Sequence, residues 1–153
     1  MRKKARTISN GLAWDEAGTT LYYVDSPRHQ VDAFDFDPGT GTISNRRAVA
    51  EVADAYPDGM AIDHEGLLWV ACWEGRRVER VDPATGRKLE LVRLPVPYVS
   101  SVAFGGPGMD ELYITTARDD VPGSRSPGEP HAGAVFVAHP GVSGPPPYRF
   151  RLQ

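Results

Sequence analysis

One hexapeptide occurs twice in the chain. Asn10-Gly11-Leu12-Ala13-Trp14-Asp15 lines up with Asp58-Gly59-Met60-Ala61-Ile62-Asp63 at an offset of 48 residues. Leu21-Tyr22-Tyr23-Val24 matches Leu68-Trp69-Val70-Ala71 at 47, and Asp37-Pro38-Gly39-Thr40-Gly41 matches Asp82-Pro83-Ala84-Thr85-Gly86 at 45. The offset slides only where turns are expected, as it does when loops are trimmed inside a true repeat. A weaker third copy runs through Val102-Ala103-Phe104, Leu112-Tyr113-Ile114 and Ala134-Val135-Phe136-Val137, ending before His139-Pro140-Gly141.

Each unit reads as four strands. An inner strand around Leu12–Trp14 turns at Asp15–Gly18 into Leu21–Val24. The run from Val31 to Asp37 follows, with Phe34 and Phe36 alternating with Asp35 and Asp37 at the period of a half-buried strand. In the Asp-Pro-x-Thr-Gly segment, proline presets φ for a type I turn and the last glycine takes the left-handed position of a bulged hairpin. A fourth strand is expected near Arg47–Val52. No window of eleven or more residues keeps an apolar helical period. Four-stranded units repeating every ~40–48 residues are the mark of a β-propeller, and a β-sandwich with accidental similarity is the competing fold. The chain is therefore expected to be all-β, a single partial propeller domain of about three four-stranded antiparallel blades, approximately 9–56, 57–99 and 100–153.

Composition removes several classes of function. Net charge is −3, the wrong sign for a nucleic-acid partner. The longest apolar run, Leu67 to Trp73, is far shorter than the ~20 residues of a membrane span. The basic start (Arg2, Lys3, Lys4, Arg6) is followed by no apolar stretch, so no secretory signal is expected. A single cysteine, Cys72, leaves no internal disulfide and no cysteine zinc cage. A cytoplasmic protein with neither nucleic-acid nor membrane partner is the expectation.

Asn10 and Asp58 hold equivalent positions, each just before the innermost strand of its unit. Inner strands line a propeller's channel, so both side chains converge on the axis with hard oxygens suited to Ca²⁺, Mg²⁺ or Mn²⁺. The competing reading makes them Asx groups that bond backbone amides at turn entries. Two protein ligands are few for such an ion, and water or a second chain must supply the rest.

The chain resembles the regucalcin (senescence marker protein) and gluconolactonase family of six-bladed propellers. The likeness lies in Ile8-Ser9-Asn10-Gly11-Leu12, Val31-Asp32-Ala33-Phe34-Asp35, Ile43-Ser44-Asn45-Arg46-Arg47, Pro57-Asp58-Gly59-Met60, Leu68-Trp69-Val70-Ala71-Cys72 and Phe104-Gly105-Gly106. It corresponds to the family's second half. The resemblance implies hydrolysis of a sugar lactone and one divalent cation in the channel, Ca²⁺ first, with Zn²⁺, Mg²⁺ or Mn²⁺ as alternatives. It also implies that Asn10 is a metal ligand and that Asp58 is both ligand and general base. The family's glutamate ligand and its sugar-holding Arg and Asn come from the other half and have no counterpart here. A non-catalytic half-propeller that binds calcium or a partner is the alternative function.

Three wedges cannot surround an axis. The chain is expected to pair with itself as a homodimer, to be a piece of a longer protein, or to dock on a separate second half. The Pro-, Gly- and Ser-rich stretch from Ala117 to Gly133 reads either as a lid, with Arg118, Asp119 and His131 as substrate contacts, or as a loose insertion. His29, His64, His131 and His139 show no zinc-ligand spacing. Cys72 reads as a buried small hydrophobe, and Trp14, Trp69 and Tyr22 as packing between blades.

Overall fold

The computed structural model describes residues 7–118 and 128–147. Blade 1 is the antiparallel meander β1 (Ser9–Trp14), β2 (Thr20–Asp25), β3 (Gln30–Asp37) and β4 (Thr42–Glu51), with a 3-10 turn at Ser26–Arg28 between β2 and β3. Blade 2 repeats it with β5 (Tyr56–Ile62), β6 (Leu68–Trp73), β7 (Arg77–Val81) and β8 (Lys88–Arg93). Blade 3 has β9 (Val99–Gly105), β10 (Glu111–Thr116) and β11 (Val135–Ala138), three strands among the described residues where a fourth was expected. Among the described residues no helix is long and apolar enough to cross a membrane.

The repeat is physical down to single bonds. In the β3–β4 hairpin the Gly41 amide donates to the Asp37 carbonyl (2.7 Å), and in the β7–β8 hairpin the Gly86 amide donates to the Asp82 carbonyl (2.8 Å). Both glycines take the left-handed φ that the sequence required, 71° and 72°. Each aspartate also accepts its turn threonine hydroxyl, Thr40 at 2.8 Å and Thr85 at 2.7 Å. The threonine hydroxyls, helped by the Gly39 and Ala84 amides, hold both carboxylates below the usual range.

Blades stack through two apolar cores. Ala13, Val24 and Val31 of blade 1 meet Met60, Leu68, Val70 and Val81 of blade 2. The opposite face of blade 2, with Trp69, Ala71 and Val78, meets Val102, Leu112 and Ile114 of blade 3. The strand β6 is buried on both faces because its blade lies between two others. The outermost strands β4 and β8 are exposed and carry Arg46, Arg47, Lys88, Glu90 and Arg93, charges that discourage further strand addition. Trp69 and Tyr22 pack between blades as expected. Trp14 is 37% exposed, edge-on to Phe36 on the face of blade 1 that no other described blade covers.

The inner strands nearly touch. A β-carbon at Gly11 would stand 2.6 Å from the Met60 Cβ and 2.7 Å from the Asp58 carbonyl oxygen, so β1 and β5 approach backbone to backbone. At the next junction a β-carbon at Gly59 would run into Ser101 of β9. Gly11→Ala is expected to force β1 and β5 apart at a cost of about 1–3 kcal/mol, read as a lowered denaturation midpoint at unchanged m-value. An unchanged midpoint would contradict the close approach.

Candidate functional site

The residues that matter sit at one irregularity repeated in every inner strand. In blade 1 the pairing runs Ser9↔Asp25 and then Leu12↔Tyr23, so Asn10 and Gly11 include one residue more than β2 can oppose. In blade 2 it runs Pro57↔Cys72 and then Met60↔Val70, with Asp58 and Gly59 in the same place. In blade 3 it steps from Val99↔Thr116 to Ser101↔Thr115 across Ser100. A one-residue bulge bends a strand and re-aims its side chain, which is why bulges gather at sites. Asn10 and Asp58 thus lie inside β1 and β5, one and two residues from the strand starts, rather than before them as the sequence suggested.

The bulges bring Asn10 and Asp58 to one cavity of about 330 Å³, lined also by Ile8, Ser26, Pro27, Tyr56 and Trp73. The β2–β3 connection therefore shares a face with the bulges of the inner strands.

A hydrogen-bond relay fixes the Asn10 amide. Ser26 Oγ donates its only proton to the Pro57 carbonyl at 2.6 Å. It then has only lone pairs to offer Asn10, whose Nδ2 lies 2.7 Å away and must be the donor. One amide N–H is engaged and the orientation of the amide is set, with Oδ1 the acceptor end left for a ligand. This relay also ties blade 1 to the residue before Asp58. Asn10 is therefore held by a side chain, and the reading of it as a cap on a backbone amide does not describe it.

Asp58 has the opposite condition. Burial pushes its pKa up to about 6, against a downward pull from the Gly59 amide, and no basic side chain offsets the burial. Three buried acids, Asp63, Asp32 and Glu79, have cationic partners. Asp63 accepts the Glu65 and Leu67 amides at 2.9 and 3.0 Å, Trp69 Nε1 at 2.9 Å and Arg80 Nε at 2.9 Å. Asp32 is held by Arg46 and Gln30, and Glu79 by Arg77 and Lys88. Asp58 alone of these four stands in a cavity without a cationic partner.

The donor set fits a divalent cation in kind: an amide oxygen and a desolvated carboxylate are hard ligands and together carry one negative charge. It does not complete one, since among the described residues no three of His, Cys, Asp and Glu group to hold a metal.

Several expected contacts lie elsewhere. Asp119 falls outside the described residues, as does most of the proposed lid. Arg118 and the exposed His131 are not among the described residues lining the Asn10–Asp58 cavity. Cys72 is fully buried, and burial with the nearby Glu79 charge pushes its thiol up to about 12, so it is an inert hydrophobe as expected. Alternation of direction along the meander puts the Ser26–His29 and Trp73–Arg76 connections on this face, but sequence reasoning gave Ser26 and Trp73 no role there and missed Tyr56. The repeat hides Ser26, because its offset of 47 aligns this residue with Trp73.

Residues 2–118 match the model of the SMP-30/gluconolactonase/LRE-like region, and the chain belongs to that family. Regucalcin of Oryctolagus cuniculus is 48% identical over 146 residues, which cover 94% of this chain and 49% of the relative. A regucalcin from Agrobacterium tumefaciens, described as a calcium-binding protein, superposes with a TM-score of 0.81 at 27% identity over 94% of this chain and 50% of its own. A gluconolactonase from Xanthomonas campestris superposes with a TM-score of 0.61 at 31% identity, over 70% of this chain and 34% of its own. The chain spans about half the length of the curated relatives it matches, and its three sheets are blades of the propeller these proteins share.

The titration of Asp58 is open to test. In cation-free protein its folded pKa, about 6, lies above the ordinary 3.8. The folded state holds this proton more tightly than the unfolded chain. The stabilisation is therefore complete below about pH 4 and is lost as pH rises through about 6. Asp58→Asn, neutral throughout, is expected to remove that slope and to raise stability at pH 7. Thermal unfolding across this range in the presence of a chelator checks it; an unaltered slope would count against the assignment.

Proposed function

We propose that this protein is a divalent-cation-dependent sugar-lactone hydrolase of the gluconolactonase type, with Asn10 Oδ1 and the Asp58 carboxylate as cation ligands and Asp58 as general base. The observation that supports the reading is the Pro57–Ser26–Asn10 relay, which leaves an amide oxygen on the cavity that Asp58 also lines, a half-buried acid with no basic side chain to offset its burial. Ca²⁺ is the first candidate, in keeping with the calcium-binding description of the Agrobacterium relative.

When bound, the cation supplies Lewis acidity toward a lactone carbonyl and counter-charge for the site. Asp58 takes a proton from water as the water oxygen bonds to the carbonyl carbon. The ring C–O bond then breaks, and the departing alkoxide recovers a proton to give the open hydroxy acid. Ser26 keeps the Asn10 amide from turning its nitrogen inward. Tyr56 and Trp73, opposite each other across β5 and β6, wall the cavity. The chain's own donors number two, which favours the second reading, a calcium-binding half-propeller, if hydrolysis is absent.

Hydrolysis of gluconolactone above the spontaneous rate is expected only with added divalent cation, and Asp58→Ala should lower it at least about a hundredfold. Ser26→Ala should weaken Ca²⁺ binding about 10–100-fold by calorimetry, the scale of lost outer-shell support. Cation binding that persists undiminished in Asp58→Ala would overturn the site. Cation binding without hydrolysis would support the second reading.

A further inference from the structure

The cavity that holds Asn10 and Asp58 has an aromatic side. Among its described lining residues, Tyr56 and Trp73 are paired directly across β5 and β6. Each of these rings is stacked on another ring that does not line the cavity. His29, from the connection between β2 and β3, lies against Tyr56 with ring centroids 4.5 Å apart and planes tilted by 36°. Tyr98, the residue before β9, lies against Trp73 at 4.5 Å and 32°. Cross-strand neighbours such as Tyr56 and Trp73 stand side by side on one face. The four rings therefore make one row, His29–Tyr56–Trp73–Tyr98.

Both outer rings are fixed. His29 takes a left-handed φ of 54°, and its Nδ1 lies 2.8 Å from the Ala55 carbonyl oxygen. A carbonyl only accepts, so Nδ1 carries the hydrogen, and the bond ties the imidazole to the residue before Tyr56. Tyr98 is 3% exposed; its backbone bridges to Trp73 and accepts the Ala117 amide at 2.9 Å. Stacked rings at this spacing attract one another, so each wall ring is oriented before a ligand arrives. A preset aromatic contact costs little ordering on binding.

One cavity of about 330 Å³ thus combines hard oxygens from Asn10 and Asp58 with a rigid apolar wall from Tyr56 and Trp73. A cyclic ester has the two matching parts, a carbonyl for the cation end and a ring whose C–H face suits an aromatic surface. The open hydroxy acid keeps the oxygens but has no fixed face. We propose that Tyr56 and Trp73 are specificity-determining residues that take the ring face of the lactone, with His29 and Tyr98 as positioning residues that hold them. The proposal rests on the lactonase reading of this cavity and assigns its preference for closed ring over open chain.

Proton spectra of the Ca²⁺-loaded chain with 1,5-anhydroglucitol, a pyranose ring with no carbonyl to hydrolyse, test the wall apart from the reaction. The ring C–H protons are expected to shift upfield in the currents of the two wall rings and to show cross-relaxation with the Trp73 indole. Gluconate should show neither. Trp73→Leu should weaken this binding about tenfold, and Trp73→Phe should restore most of it. Tyr56→Leu, at a position 39% exposed, gives the same test if Trp73→Leu does not fold. His29→Leu should raise the gluconolactone KM about three- to tenfold with a smaller fall in kcat, and His29→Phe, which keeps a ring, should recover it. Calcium affinity in these variants should stay within about twofold of wild type, since none supplies a cation ligand. Anhydroglucitol that does not bind, that binds wild type and Trp73→Leu alike, or that gluconate matches overturns the proposal. So does gluconolactone hydrolysis with an unchanged KM in Trp73→Leu. Ring-current shifts without gluconolactone hydrolysis would support the wall and count against the lactonase reading alone.

Discussion

Everything at the site depends on how closely β1 and β5 pass. The absence of a side chain at Gly11 lets the two backbones meet beside Met60 and the Asp58 carbonyl. Each strand has its extra residue at that point, so the close approach and the paired bulges put Asn10 and Asp58 on one cavity. Ser26 then spans the junction, accepting from one blade and donating to the other. Had either strand lacked its bulge, the period of two would have turned the following side chains to the opposite face of the blade. The site and the blade junction are thus one structural feature, and the packing of the propeller cannot be separated from its chemistry.

The acids of the chain divide by how their burial is compensated. Asp63 is fully buried but accepts from two amides, an indole and a guanidinium, and it serves to tie the β5–β6 hairpin to β7. Asp37 and Asp82 spend their carboxylate oxygens on their own turns. Glu79 keeps Oε1 on Arg77 and Lys88 while Oε2 has no partner. Asp58 is half-buried with only the Gly59 amide to favour its charge. A carboxylate in that condition attracts either a proton or a cation.

Much of this was legible in the sequence, for reasons that are local. The Asp-Pro-x-Thr-Gly turns could be read because proline, threonine and glycine each meet a backbone demand at a fixed position, and Gly41 and Gly86 show the left-handed φ that follows. Asn10 and Asp58 could be paired because the repeat aligns them. The bulges could not be read, since a single extra residue leaves no mark on an alternation only six or seven residues long. The relay through Ser26 could not be read because its partners, Asn10 and Pro57, come from different repeats. Trp14 is more exposed than its equivalent, Ile62, because among the described residues a preceding blade covers Ile62 and none covers Trp14.

The central claim is that the bulged strand starts of two neighbouring blades form one hard-oxygen cation site. Backbone amide spectra recorded with sub-stoichiometric Mn²⁺ test it most directly, because paramagnetic broadening maps the ion onto the sequence. The account predicts that the amides of Asn10, Gly11, Ser26, Asp58 and Gly59 broaden first and together, while the acidic turns at Asp37 and Asp82 stay sharp. Broadening centred on those turns, or spread evenly over the surface acids, would contradict it.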